Sequence, residues 1–178
     1  EAAPGATVVL DAQASSSSRR RVLRINLGSS DVVQLIGLSI TGGYADEDGG
    51  GVHVYGGTVT MSSCTISGNT AGGIANGADR RGGGVCVWYG TVTFSSCTIT
   101  GNTGSDGGGV YLREGTVAFS SCTITGNTAN SEGGGVYVFG ATVAISSCTM
   151  SGNTGYGPNV YVLTWGGATV CSWPTTLT

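Results

Sequence analysis

Residues 107–128 read GGGVYLREGTVAFSSCTITGNT, and the chain spells nearly the same string three more times. The other copies are GGGVHVYGGTVTMSSCTISGNT from Gly49, GGGVCVWYGTVTFSSCTITGNT from Gly82 and GGGVYVFGATVAISSCTMSGNT from Gly133. A degenerate earlier copy, VLRINLGSSDVVQLIGLSITGG, starts at Val22, and a truncated last one, PNVYVLTWGGATV, at Pro158. A period of 24 to 33 residues marks a solenoid, in which each unit stacks only on its neighbours.

Inside each copy, apolar and polar residues alternate over three short stretches. In the first full copy the apolar partners are Val52 and Val54, then Val59 and Met61, then Cys64 and Ile66, with His53, Thr60 and Thr65 between them. Period two means a strand with one buried face. Three strands per coil, separated by Gly-rich bends, predict a closed coil with three parallel sheets, each coil rising by the strand spacing of ~4.8 Å. One coil cannot bury enough to fold alone, so stability must come from stacking.

The predicted fold is all-β: a right-handed parallel β-helix, or solenoid, of about 5–6 coils with three short strands each. Residues 1–178 form one domain. Residues 1–21 are an N-terminal cap, the coils are 22–48, 49–81, 82–106, 107–132 and 133–157, and residues 158–178 form a truncated last coil or cap.

Composition excludes several classes of function. With 34 Gly among 178 residues and only 10% charged residues, a helical bundle is not expected. The net charge is −3, and all seven basic residues are Arg, too few for a nucleic-acid surface. No apolar run reaches the ~20 residues of a membrane-spanning helix. The chain opens at Glu1 rather than Met, which predicts a processed or excised segment.

The pairing of GGGV with Ile66-Ser67-Gly68-Asn69, Ile99-Thr100-Gly101-Asn102, Ile124-Thr125-Gly126-Asn127 and Met150-Ser151-Gly152-Asn153 resembles the polymorphic outer membrane protein repeats of bacterial surface adhesins. TVVLDAQ, RRRVLRINL and LIGLSITGG look like the first coil of the broader pectin-lyase-like β-helix class. The resemblance spans almost the whole chain. It implies the β-helix fold and leaves activity open, because the fold hosts lyases, epimerases, adhesins and fibres.

Stacked coils put equivalent residues in columns. Asn69, Asn102, Asn127 and Asn153 form one, an amide ladder holding coil to coil. Cys64, Cys97, Cys122 and Cys148 form an inward one, with Leu38 in the equivalent place, which predicts small buried hydrophobes; a disulfide between adjacent coils is the alternative. No His accompanies this column, so no metal site is expected there, while Cys86 is expected to point outward.

Two outward columns of the first strand carry His53, Cys86, Tyr111, Tyr137 and Tyr161, and Tyr55, Trp88, Arg113, Phe139 and Leu163. Tyr55, Trp88, Tyr111, Arg113, Tyr137, Phe139 and Tyr161 thus form an aromatic face expected to be exposed, suited to a sugar ring or a second rod. Aromatic columns also stabilise stacked strands with no ligand at all.

The third strand predicts an outward hydroxyl array of Ser39 and Thr41, Thr65 and Ser67, Thr98 and Thr100, Thr123 and Thr125, and Thr149 and Ser151. It is similar to the Thr-x-Thr ranks of β-helical antifreeze proteins, and Thr is also favoured on any exposed β-surface. Asp48, Arg81, Asp106 and Glu132 line up before each GGG. With Asp46 and Glu47 they make an acidic edge that is either solvated or a weak Ca²⁺ site. No catalytic group and no other cofactor is predicted. Chemistry needs a group once and not in every turn, and the local breaks at His53, Arg113 with Glu114, and Ala71–Arg81 do not assemble a nucleophile, base and orienting partner. The expectation is a non-catalytic extracellular or cell-surface rod, structural or adhesive, that contacts glycans or itself, end to end or side by side into a fibre. The alternatives are an ice-binding protein and a polysaccharide lyase or epimerase, for which Arg113, Glu114 and Asp106 would be the candidates.

Overall fold

A computed structural model describes residues 7–72, 80–163, 169–173 and 176–177. It is an all-β parallel solenoid, and among the described residues no helix is long and apolar enough to cross a membrane. The first sheet has six strands: Leu23–Asn26, Val52–Tyr55, Val85–Trp88, Val110–Arg113, Val136–Phe139 and Val160–Leu163. The second also has six: Val32–Ile36, Thr58–Ser62, Thr91–Ser95, Thr116–Ser120, Thr142–Ser146 and Thr169–Trp173. The third has seven: Val8–Asp11, Leu38–Thr41, Thr65–Ser67, Thr98–Thr100, Thr123–Thr125, Thr149–Ser151 and Thr176–Leu177.

A fourth sheet corrects the expectation of three. Its five short strands, Tyr44–Ala45, Thr70–Ala71, Thr103–Gly104, Thr128–Glu132 and Thr154–Tyr156, follow the Asn column. Each of the first four places a single small residue inward (Ala45, Ala71, Gly104, Ala129), too short a run for alternation to register. Residues 1–6 of the expected cap, 73–79 of the Ala71–Arg81 insertion, and 164–168, 174–175 and 178 of the last coil lie outside the described residues.

Columns stand as the repeat requires. Phe94 pairs with Met61 on one side and Phe119 on the other, and the two Phe rings stack at 4.8 Å, 7° from parallel. The inward Ile66, Ile99, Ile124 and Met150 are fully buried. Cys64, Cys97, Cys122 and Cys148 sit beside them as free thiols; Cys97 donates to the Met61 carbonyl at 3.3 Å in the preceding coil. They behave as small hydrophobes with a weak donor.

The Asn column is a saturated ladder. The Asn127 Nδ2 donates to Ile99 O (2.9 Å) and to Asn153 Oδ1 (3.0 Å). Its Oδ1 accepts from the Asn102 backbone N–H (3.1 Å) and Asn102 Nδ2 (3.0 Å). Asn102 repeats the pattern with Ile66, Asn127 and Asn69, so each amide joins three coils with no polar atom orphaned.

The GGG motif has two separate causes. Its first Gly adopts positive φ, +61° at Gly107 and +67° at Gly82. The second and third instead permit backbone contact between coils: a Cβ on Gly84 would lie 2.6 Å from Gly109 O and 3.0 Å from the Asn102 amide. At the bend before each Cys the left-handed residue is Ser63, Ser96, Ser121 or Ser147, where sequence reasoning expected Gly.

Candidate functional site

The outer face of the first sheet is built as its sequence requires, but its exposure differs from expectation. Tyr111 and Tyr137 are only 3% and 5% exposed, and Cys86 is fully buried. Cys86 does point away from the main core, yet it lies in a second, smaller one with the two Tyr rings, against which Trp88, Phe139, Tyr161 and Leu163 pack. Tyr111 and Tyr137 stack at 5.0 Å, Tyr137 and Tyr161 at 5.3 Å, and the Arg81 guanidinium covers Tyr111 at 5.2 Å. The glycine turn closes over the column as well, since a Cβ on Gly133 would meet the Tyr137 Cβ at 2.8 Å. Burial pushes the Cys86 thiol and the Tyr111 and Tyr137 phenols up, Tyr137 to about 12. The centre of the aromatic face, Tyr111 and Tyr137, is therefore covered by its own turns and Arg81, while Trp88, Arg113, Phe139 and Tyr161 are half-buried, which alternation alone cannot reveal.

One corner stays open. Tyr55 is 46% exposed and meets Tyr89, 45% exposed, edge to face at 5.6 Å; Trp88 meets Tyr89 at 6.2 Å. Arg113 lies over Trp88 at 4.6 Å and near Phe139 at 5.8 Å, and its Nε is 3.9 Å from a Glu114 oxygen. His53, Trp88 and Arg113 each hold a buried ring or guanidine nitrogen with no hydrogen-bond partner: Nε2, Nε1 and Nε. Burial, followed by the charges of Arg21 and Arg24, pulls the His53 imidazole down to about 4. Tyr89 was not anticipated. It follows the first strand of its coil, where the neighbouring coils carry Gly56, Glu114 and Gly140, and all four residues have left-handed φ: +72°, +62°, +56° and +59° for Gly56, Tyr89, Glu114 and Gly140. Tyr89 and Glu114 thus hold a strained conformation that glycine adopts freely in the flanking coils. Comparing that position across copies could have found them.

The third sheet bears the hydroxyl array in register. One column is Ser39, Thr65, Thr98, Thr123, Thr149 and Thr176; the other is Thr41, Ser67, Thr100, Thr125 and Ser151. Thr65, Thr123, Thr149 and Thr176 are exposed, and the rest are half-buried. The second sheet is less regular, since the column that starts with Thr60 and Thr93 continues as Ala118 and Ala144.

The acidic edge is tied into the fold. Asp48 Oδ1 accepts the Arg81 backbone N–H at 2.8 Å, and Asp106 Oδ1 that of Glu132 at 3.4 Å. Arg19 pairs with Asp46, Arg21 reaches Glu47 at 3.6 Å, and Arg21 Nη2 donates to Asp48 O at 2.7 Å. Among the described residues no three His, Cys, Asp or Glu side chains are grouped to hold a metal ion.

The profile of a family described as "Right handed beta helix region" matches residues 24–169. No curated protein and no solved structure matches the chain. Repeat, parallel register and profile agree over most of the length, and the chain belongs to the right-handed β-helix family.

Proposed function

We propose that this protein is a non-catalytic structural and adhesive rod of the extracellular space or cell surface, and that its open corner of Tyr55, Trp88, Tyr89 and Arg113 contacts glycan. The observation that carries this reading is the strain at that corner: Tyr89 and Glu114 occupy left-handed positions that the flanking coils fill with Gly. At this bend the non-Gly strain is confined to two neighbouring coils, which fits a surface shaped for a ligand rather than for stacking. Tyr55 and Tyr89 offer ring faces for sugar C–H groups, and the partly exposed Arg113–Glu114 pair offers donors and acceptors for hydroxyls.

Tyr89→Gly tests it, because the change removes both ring and strain. The reading predicts loss of signal on a glycan array together with unchanged or higher thermal stability. Retained binding, or loss accompanied by unfolding alone, would refute it. Lateral association of rods into a fibre is a second reading, favoured by exposed Val9 on the first strand and Val32 and Ile36 on the first coil, where the next coil presents Ser or Thr. Concentration-dependent filaments in electron micrographs would bear it out, and particles that stay monomeric at high concentration would remove it.

A further inference from the structure

We propose that the third sheet is an ice-binding face, whose two hydroxyl columns hold a layer of water in a crystal-like order and anchor the rod to growing ice. Between Ser39 and Thr176 every outward position on six successive strands carries a hydroxyl: eleven in all, eight of them Thr. Strand geometry sets their spacing at ~6.7 Å along a strand and ~4.8 Å between coils. Both are close to oxygen repeats on the prism faces of hexagonal ice, so one template addresses many lattice sites together.

A lattice needs a template that does not move. The backbone is fixed by bonds such as Thr98 N to Cys64 O, Thr123 N to Cys97 O and Thr149 N to Cys122 O, each 2.9 Å. Fully buried Ile66, Ile99, Ile124 and Met150 anchor the strands from within, and the β-branched Thr side chain has few χ1 options. Thr supplies a methyl that cages water beside a hydroxyl that bonds it. Among the described residues of the array, hydroxyl-to-hydroxyl bonding occurs between Thr125 and Thr100 at 3.5 Å, which leaves the others for water.

General β-propensity would account for Thr, but it does not account for an array without a break. The outward positions of the first sheet include Arg24, His53 and Arg113, and those of the second are interrupted by Val32, Gln34, Ile36, Ala118 and Ala144. On the third, the residues without a simple hydroxyl, Val9 and Asp11, lie on the terminal strand. An outward Ala, Val or Ile removes a site from the lattice, so eleven consecutive hydroxyls are a constraint that stacking does not impose.

The test is thermal hysteresis and inhibition of ice recrystallisation by the purified chain, beside Thr98→Tyr and Thr123→Tyr at the centre of the array and Thr91→Tyr on the adjoining sheet. Circular dichroism melting establishes that each variant is folded. The expected result is hysteresis that falls to the buffer value in the two central variants and is retained in Thr91→Tyr. Absence of hysteresis in the unaltered chain, or equal loss in Thr91→Tyr, overturns the proposal. Tyr89→Gly should leave hysteresis untouched, so failure of the glycan reading and failure of this one are distinguishable.

Discussion

Replacing Asn127 by Ala takes the central rung out of the amide ladder. The deletion leaves four buried partners short: Ile99 O, Asn153 Oδ1, the Asn102 backbone N–H and one Asn102 Nδ2 hydrogen. An orphaned buried group costs ~1–3 kcal/mol, with the two oxygens at the low end because a carbonyl oxygen can keep another partner. The change should therefore cost about 4–6 kcal/mol, a large share of the ~5–15 kcal/mol that holds a domain folded. Urea unfolding followed by far-ultraviolet circular dichroism measures it, with Thr123→Ala on the open face as a control expected within ~0.5 kcal/mol of the parent. Asn102→Ala combined with Asn127→Ala should cost less than the two single changes added, because each removes a partner the other would orphan. A single-variant loss under ~1 kcal/mol, or strict additivity in the double variant, would refute the ladder as a source of stability.

Gly108→Ala should be far more damaging than Gly126→Ala. At Gly108 the new Cβ would sit 2.5 Å from the Thr128 carbonyl carbon and 2.7 Å from Gly134 O, forcing coils apart, whereas at Gly126 the nearest atom is 3.8 Å away and only the left-handed φ of +62° costs, about 1 kcal/mol. Thermal melts of the two variants check this, and equal losses would contradict it. His53 is the only histidine, so its titration can be followed by nuclear magnetic resonance without ambiguity. It should titrate near the depressed value of about 4 in the folded chain, against the usual 6.5 when unfolded. The unfolded chain then binds more protons between those values, so stability present above pH 6.5 declines as pH falls toward 4; His53→Gln should flatten that part of the profile, and an unchanged profile would argue against it. Phe94→Ala, which opens a cavity beside Phe119, should cost about 3–5 kcal/mol in the same unfolding assay, and a loss below 1 kcal/mol would show that the inner column is not packed as described.

Much of this architecture was legible because stacking makes distant positions equivalent. Once Gly49, Gly82, Gly107 and Gly133 are aligned, period-two alternation separates Val110 from Tyr111 and Ile124 from Thr125, and the amide column follows. Alternation fails where a strand is short. The fourth sheet places one Ala or Gly inward per coil, so Thr70–Ala71 and Thr103–Gly104 carry no pattern to detect. It is also silent about what lies above an outward residue. Tyr111 and Tyr137 point away from the core as expected, yet Arg81 and the glycine turns close over them. Tyr89 escaped for a third reason, because its distinction is a left-handed backbone rather than a hydrophobic period.

Residues of successive coils lie directly over one another, and every column and ladder of the rod depends on that stacking. Couplings through hydrogen bonds, measured by nuclear magnetic resonance on labelled protein, test it most directly. The account predicts that the Thr123 amide couples to the Cys97 carbonyl, Thr149 to Cys122 and Val110 to Gly135. Amides of those residues that exchange freely with solvent, or that couple to carbonyls within their own coil, would contradict it.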